Sequence, residues 1–72
     1  MLSPQMQAVV ADLDATLART DAKARREARF DIRQGSGFTY RDARDNARDA
    51  GTVKDQTYWN SYAAELIRQG KR

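Results

Sequence analysis

Residues 38–51 read FTYRDARDNARDAG, and this stretch predicts a short helix with both ends marked. Thr39 is placed to cap the N-terminus, and Asp42, three residues later, resembles the second residue of a capping box. Gly51 is placed to end the helix as its C′ residue. We therefore predict a helix over residues 40–50.

Three kinds of side chain separate around this helix at about 100° per residue. One stripe is small or apolar, a second is acidic and a third is basic. Their members are Tyr40, Ala43, Ala47 and Ala50, then Asp42, Asp45 and Asp49, then Arg41, Arg44 and Arg48. We call the last three the arginine ridge. The small stripe predicts the buried face, and the ridge predicts a face that meets a partner.

The segment that follows predicts another capped helix. Thr52 is its N-cap, Asp55 again lies three residues later, and the helix should run to about Gln69 and stop at Gly70. Because only Gly51 and Thr52 join the two helices, they should form a tight hairpin. The predicted buried stripe of the second helix is Trp59, Tyr62, Ala63, Leu66 and Ile67.

The first thirty-odd residues predict one long helix. Ser3 is placed as its N-cap, with Pro4 at the first helical position. Residues 18–29 contain only alanine, threonine and charged side chains, without a strong helix breaker. We predict a continuous helix from Pro4 to Gln34, about 45 Å long; a bend near Thr20, or a second helix starting there, is the alternative. Its N-terminal half carries apolar residues at helical spacing, namely Met6, Val10, Leu13 and Leu17.

Residues 29–41 also fit a β-hairpin. Phe30, Ile32, Phe38 and Tyr40 alternate with polar residues around Gly35. The run before them, DAKARREAR, has high helix propensity, and Gly35 also suits a helix end. We favour the helix and keep the hairpin as the rival.

The expected fold is therefore all-α, with residues 1–72 forming a single small domain. A long N-terminal helix packs with a tight C-terminal two-helix hairpin. The aliphatic side chains concentrate in the first half of the long helix and in the last helix, so these two should pack together. A chain of 72 residues buries only about 60% of its unfolded surface. With no cysteine to cross-link it, such a core predicts a homodimer or an obligate protein partner.

The residue types argue against catalysis. The chain has no histidine and no cysteine, so the common general base and the usual transition-metal ligands are missing. The segment Gly35-Ser36-Gly37 lacks the spacing and the lysine of a phosphate-binding loop. We expect no enzymatic activity, no catalytic residue, no metal site and no cofactor.

No apolar run is long enough to cross a membrane, and the N-terminus lacks the pattern of a signal peptide. We therefore expect a cytoplasmic protein without a membrane partner.

Charge and composition suggest a binding protein. The net charge is +3, and the small size and the alanine, arginine and aspartate content are typical of accessory proteins of bacterial genomes or mobile elements. The leading hypothesis is a protein-binding inhibitor or adaptor. It would present Arg41, Arg44, Arg48 and Tyr58 to an acidic partner, since arginine and tyrosine are frequent in interface hot spots.

The alternative hypothesis is a small DNA-binding regulator with a helix-turn-helix-like hairpin. Arg25, Arg29 and Arg33 line up at intervals of four residues and could contact phosphates. Base edges would then be read from the start of the last helix by Lys54, Gln56 and Asn60. Several positions that are apolar in that motif are polar here, namely Asn46, Thr52, Thr57 and Asn60.

Overall fold

A computed structural model describes residues 4–71, and the side chains of residues 11–71. Three helices follow in chain order: α1 (Pro4–Gln34), α2 (Tyr40–Asp49) and α3 (Val53–Arg68). The described part of the chain contains no strand. The predicted all-α fold is therefore confirmed, and the rival β-hairpin over residues 29–41 is wrong.

The end of α1 shows why the helix forms instead of the hairpin. Gly35 takes a φ of 68°, and its N–H bonds to the carbonyl of Ile32 at 3.1 Å. The next N–H, of Ser36, bonds to the carbonyl of Asp31 at 2.9 Å. These two bonds form a Schellman motif, which satisfies the last carbonyls of a helix. Glycine adopts the required left-handed conformation at little cost. The high helix propensity of the preceding residues and this favourable helix end therefore both stabilise the helix over the hairpin.

The predicted N-caps of α2 and α3 are confirmed. The hydroxyl of Thr39 accepts the N–H of Asp42 at 3.1 Å, and that of Thr52 accepts the N–H of Asp55 at the same distance. Each bond satisfies one of the free donors at the start of a helix. Local hydrogen bonds therefore fix where α2 and α3 begin.

The two predicted glycine stops differ. Gly70 has a φ of 76° and lies in a second Schellman motif, as expected of a helix stop. Gly51 follows the C-cap of α2, but its φ is not in the left-handed region. There Ala50 leaves the helix in an extended conformation, so α2 ends one residue earlier than predicted.

Helix α1 is uninterrupted through Thr20, which confirms the predicted continuity. The side chain of Thr20 is buried, and its hydroxyl donates to the carbonyl of Thr16 at 2.9 Å. Its polar group is thus satisfied within one helix, and no second N-cap is made there. The predicted cap at Ser3 lies outside the described residues.

Helix α3 lies against both α1 and α2. The expectation that it packs on the first half of α1 is wrong for the described side chains, because Leu13 is 50% exposed. Small side chains in the second half of α1 let the helices approach closely instead. Trp59 is half-buried and Ile67 is exposed, although both were predicted for the buried stripe. The buried apolar cluster is Ala24, Ala28, Ala43, Tyr62, Ala63 and Leu66.

Helices α1 and α3 run in the same direction where they touch. Glu27 meets Tyr58, and four residues further along each helix Asp31 meets Tyr62. The molecule measures 47 × 22 × 15 Å, and its radius of gyration is 14.3 Å. A compact domain of this length would have a radius of about 11 Å. The long helix therefore extends well beyond the hairpin.

Candidate functional site

The arginine ridge lies on the outer side of α2. Ala43 and Ala47 are buried against the rest of the protein, whereas Arg41, Arg44 and Arg48 are exposed. The helical periodicity of residues 38–51 thus separates a packed face from a charged one, as the sequence indicates.

The ridge arginines are held by weak, exposed contacts. Arg44 Nη1 donates to Asn60 Oδ1 at 2.6 Å, which links α2 to α3. Arg48 lies 3.4 Å from a carboxylate oxygen of Asp45 and 3.5 Å from one of Asp49. Exposed ion pairs of this kind contribute about 0–1 kcal/mol. These guanidinium groups can therefore exchange their present partners for an incoming carboxylate at little cost.

A groove runs between the ridge and α3. Its volume is about 280 Å³, and its polar lining combines guanidinium and amide groups. Such groups recognise carboxylates, because they offer several N–H donors in a fixed geometry. The lining residues are Arg44, Ala47, Arg48, Gln56 and Asn60.

The structure does not bring Tyr58 to the ridge. Its side chain is half-buried, and its hydroxyl donates to the carboxylate of Glu27 on α1. Burial, together with this hydrogen bond, raises the pKa of Tyr58 above its ordinary value. Trp59 packs edge-on against it, with the ring centroids 5.0 Å apart. Tyr58 therefore supports the packing of α1 on α3, a role that the sequence alone did not indicate.

A second charged surface surrounds Glu65, whose side chain is completely buried. Its carboxylate accepts a hydrogen bond from Gln69 at 2.7 Å. Three guanidinium groups lie around it, at 3.4 Å for Arg25, 3.6 Å for Arg29 and 3.9 Å for Arg68. Two of them come from α1 and one from α3, so the site exists only in the folded chain.

The surroundings keep Glu65 ionised. Burial alone would raise its pKa, but the hydrogen bonds from Gln69 and Arg25, with the charges of Arg29 and Arg68, outweigh burial and lower the pKa. Asp21, which pairs with Arg25 at 3.0 Å, also has a lowered pKa, chiefly through a hydrogen bond from Ser61. Both carboxylates therefore stabilise the fold in their charged form.

We call the surface formed by Arg25, Arg29, Arg33 and Arg68 the basic face. Arg33 is exposed, and with Arg29, Ile32 and Gln69 it lines a shallow depression of about 160 Å³. Sequence reasoning missed the parts contributed by α3. A signal existed for Glu65, because it lies three residues after the buried Tyr62 and so on nearly the same side of the helix.

The residues of the DNA-binding alternative do not share one surface. Gln56 and Asn60 line the ridge groove, whereas Arg25 and Arg29 lie around Glu65. Gln56 and Glu65 are nine residues apart, which places them about 180° apart around α3. Lys54 is exposed near the start of the same helix. The predicted base-reading and phosphate-contacting groups therefore face different directions.

Within the described residues, no group of three potential ligands could hold a metal ion. No helix in that part of the chain combines the length and the apolar character needed to span a membrane. No family model, curated protein or solved structure matches this chain. The two charged surfaces are therefore the candidate functional sites of this protein.

The buried carboxylate predicts acid sensitivity. A lowered folded-state pKa means that Glu65 stabilises the fold above its unfolded-state pKa of 4.5, and that this stabilisation is lost as the pH falls through the folded-state value. We expect the free energy of unfolding to be level above about pH 5.5 and to fall at lower pH. Urea unfolding followed by circular dichroism from pH 7 to pH 3 measures this.

The variant Glu65→Gln has a side chain of the same size that does not titrate. Its stability should be lower near pH 7 and should depend less on pH, with the remaining dependence due to groups such as Asp21. An unchanged pH profile in this variant would contradict the role assigned to Glu65.

Proposed function

We propose that this protein is a non-enzymatic protein-binding module that acts as an inhibitor or adaptor. The ridge groove would receive acidic side chains of a partner protein. The observation that carries this proposal is the joint placement of Arg44, Arg48, Gln56 and Asn60 around one groove.

The energetics of the groove support binding by exchange. Arg44 is held by a neutral amide and Arg48 by exposed aspartates. A partner carboxylate could form a bidentate pair with either guanidinium, which is a stronger contact than the ones it replaces. Arginines of this kind often contribute about 2 kcal/mol or more to an interface when they become buried there. Tyr58 is not part of this proposal, because its hydroxyl donates to Glu27 on α1. That the protein forms a homodimer stays a prediction.

Replacing both Arg44 and Arg48 by alanine should reduce partner capture at least tenfold, because each lost guanidinium removes a principal contact. The measurement is quantitative mass spectrometry of proteins retained from a bacterial lysate by the immobilised wild-type chain and by the variant. Helicity should stay unchanged, since both side chains are exposed.

A matched control replaces Arg19 and Arg26, two exposed arginines of α1 outside both charged surfaces, by alanine. It removes the same charge and should leave capture within about twofold of wild type, because exposed side chains outside an interface contribute little. Equal retention by the ridge variant and the wild type would reject the groove as the binding site.

A further inference from the structure

In the basic face the negative charge is buried and the positive charges are at least partly exposed. The carboxylate of Glu65 is inaccessible, whereas the guanidinium-bearing side chains of Arg25, Arg29 and Arg68 are 32%, 46% and 72% exposed. One buried anion therefore holds three cations whose outer sides still reach solvent. Arg33 lies one turn beyond Arg29 and extends this positive surface along α1.

The ridge and the basic face differ in net charge. On α2 three arginines alternate with three aspartates along the same short helix, which leaves no excess charge. On the basic face four arginines are accompanied by Glu65 and by Asp21, which pairs with Arg25. The excess positive charge of the described chain is thus concentrated on the basic face more than on the ridge.

We propose that the basic face binds the phosphate backbone of duplex DNA, independently of the ridge and without reading base sequence. Residues 25–33 span about 12 Å of helix axis. Over such a length duplex DNA presents several phosphates, at about one charge per 1.7 Å. A regular row of arginines suits a linear polyanion, because each guanidinium can contact phosphate oxygens through two N–H groups.

The arrangement also predicts that binding occurs without base reading. The side chains suited to base edges, Gln56 and Asn60, lie in the ridge groove on the other side of α3. The basic face would therefore contact only the phosphates of a bound duplex. Such contacts position the protein but carry no sequence information. Helix α3 contributes Arg68 to this surface, so the site depends on the packing of α3 on α1.

The test is fluorescence anisotropy with the full chain and a labelled random-sequence duplex of about 20 base pairs. Four phosphate contacts predict that the affinity falls roughly 150-fold between about 50 mM and 200 mM salt. No binding at the lower salt concentration would overturn the proposal. Polyglutamate at equal charge should compete only weakly with the labelled duplex. If it competes as well as unlabelled duplex does, the basic face binds an acidic protein instead. Tighter binding of single-stranded DNA than of duplex would overturn the duplex assignment.

The variant Arg29→Gln, Arg33→Gln, Arg68→Gln retains Arg25 and Gln69 around Glu65, so we expect it to fold. With one phosphate contact left, its affinity should fall only roughly fourfold over the same salt range. The matched control Arg41→Gln, Arg44→Gln, Arg48→Gln removes the same charge from the ridge and should keep the wild-type salt dependence. Equal losses in both variants would show that net charge alone attracts DNA, and would reject the basic face.

Charge-preserving replacements provide a second readout. The variant Arg29→Lys, Arg33→Lys, Arg68→Lys keeps the positive charge, so the salt dependence should stay near the wild-type value. Thermal unfolding by circular dichroism identifies any variant that fails to fold. A folded lysine variant with the salt dependence of the glutamine variant would contradict phosphate neutralisation. Loss of ridge-dependent protein capture would not affect these outcomes, since the two surfaces are mutated separately.

Discussion

Replacing Gly37 by alanine should lower the free energy of unfolding by about 3 kcal/mol or more. Gly37 has a φ of 96°, where a side chain strains the backbone. An added Cβ would also lie 2.5 Å from Asp31 Cβ and 2.5 Å from Tyr62 Oη, far inside contact distance. For a chain of 72 residues the total stability is about 4–11 kcal/mol, so this loss is a large part of it.

The cost is high because Gly37 packs against a partly buried hydrogen-bond network. Tyr62 Oη donates to Asp31 Oδ2 at 2.6 Å and accepts the N–H of Phe38 at 3.2 Å. A methyl group at residue 37 would force these groups apart, and breaking such bonds costs about 1–3 kcal/mol for each buried group left unsatisfied. The same network joins α1, the connecting loop and α3.

Two other glycines distinguish backbone strain from steric overlap as the cause of the loss of stability. Gly35 also has a positive φ, but an added Cβ would meet no atom within 4 Å, so Gly35→Ala should cost only about 1–2 kcal/mol. Gly51 has neither a positive φ nor a close neighbour, so Gly51→Ala should change stability by less than about 1 kcal/mol. Urea unfolding of the three variants measures the series. Equal losses at Gly35 and Gly37 would contradict the steric argument.

Replacing Tyr62 by alanine should cost about 3–5 kcal/mol, the range for deleting a large buried aromatic side chain. Tyr62 is 1% exposed, and its ring lies edge-on to Phe38 with the centroids 5.9 Å apart. Trp59 also packs against Tyr62, with the ring centroids 5.7 Å apart. At the lower end of the stability range the variant would be largely unfolded at 25 °C, which circular dichroism and urea titration would show.

Two controls identify which part of Tyr62 matters. Tyr62→Phe keeps the ring and removes the hydroxyl, so it should cost about 1–3 kcal/mol through the unpaired N–H of Phe38 and carboxylate of Asp31. Phe30→Ala deletes an aromatic ring that is 53% exposed, and should cost about 1 kcal/mol or less. A Tyr62→Ala variant as stable as Phe30→Ala would refute the placement of Tyr62 in the core.

Both predictions concern the contact that holds α3 on α1, and that contact also builds the basic face. Arg25 and Arg29 of α1 and Arg68 of α3 surround Glu65 only while the two helices stay packed. Variants at Gly37 or Tyr62 that unfold the domain should therefore also impair duplex binding.

The two candidate sites differ in how far the sequence predicts them. The ridge follows from helical periodicity, since its arginines lie three and four residues apart. The groove beside it needs the hairpin, which brings Asn60 within 2.6 Å of Arg44 from sixteen residues away. The basic face unites Arg25 with Glu65 across forty residues, and no periodicity within one helix indicates such a pair.

The sequence by itself determined the three helices, the caps at Thr39 and Thr52 and the stop at Gly70, because each depends on hydrogen bonds and side chains within a few residues. Only the tertiary structure decided that α3 covers the second half of α1. There the alanine-rich face of α1 allows α3 to approach closely. Glu27 and Asp31 of α1 accept hydrogen bonds from tyrosines of α3, and Glu65 of α3 pairs with Arg25 of α1. The aliphatic pattern favoured the first half of α1, but close packing and hydrogen-bond complementarity belong to pairs of helices, and one helix alone does not show them.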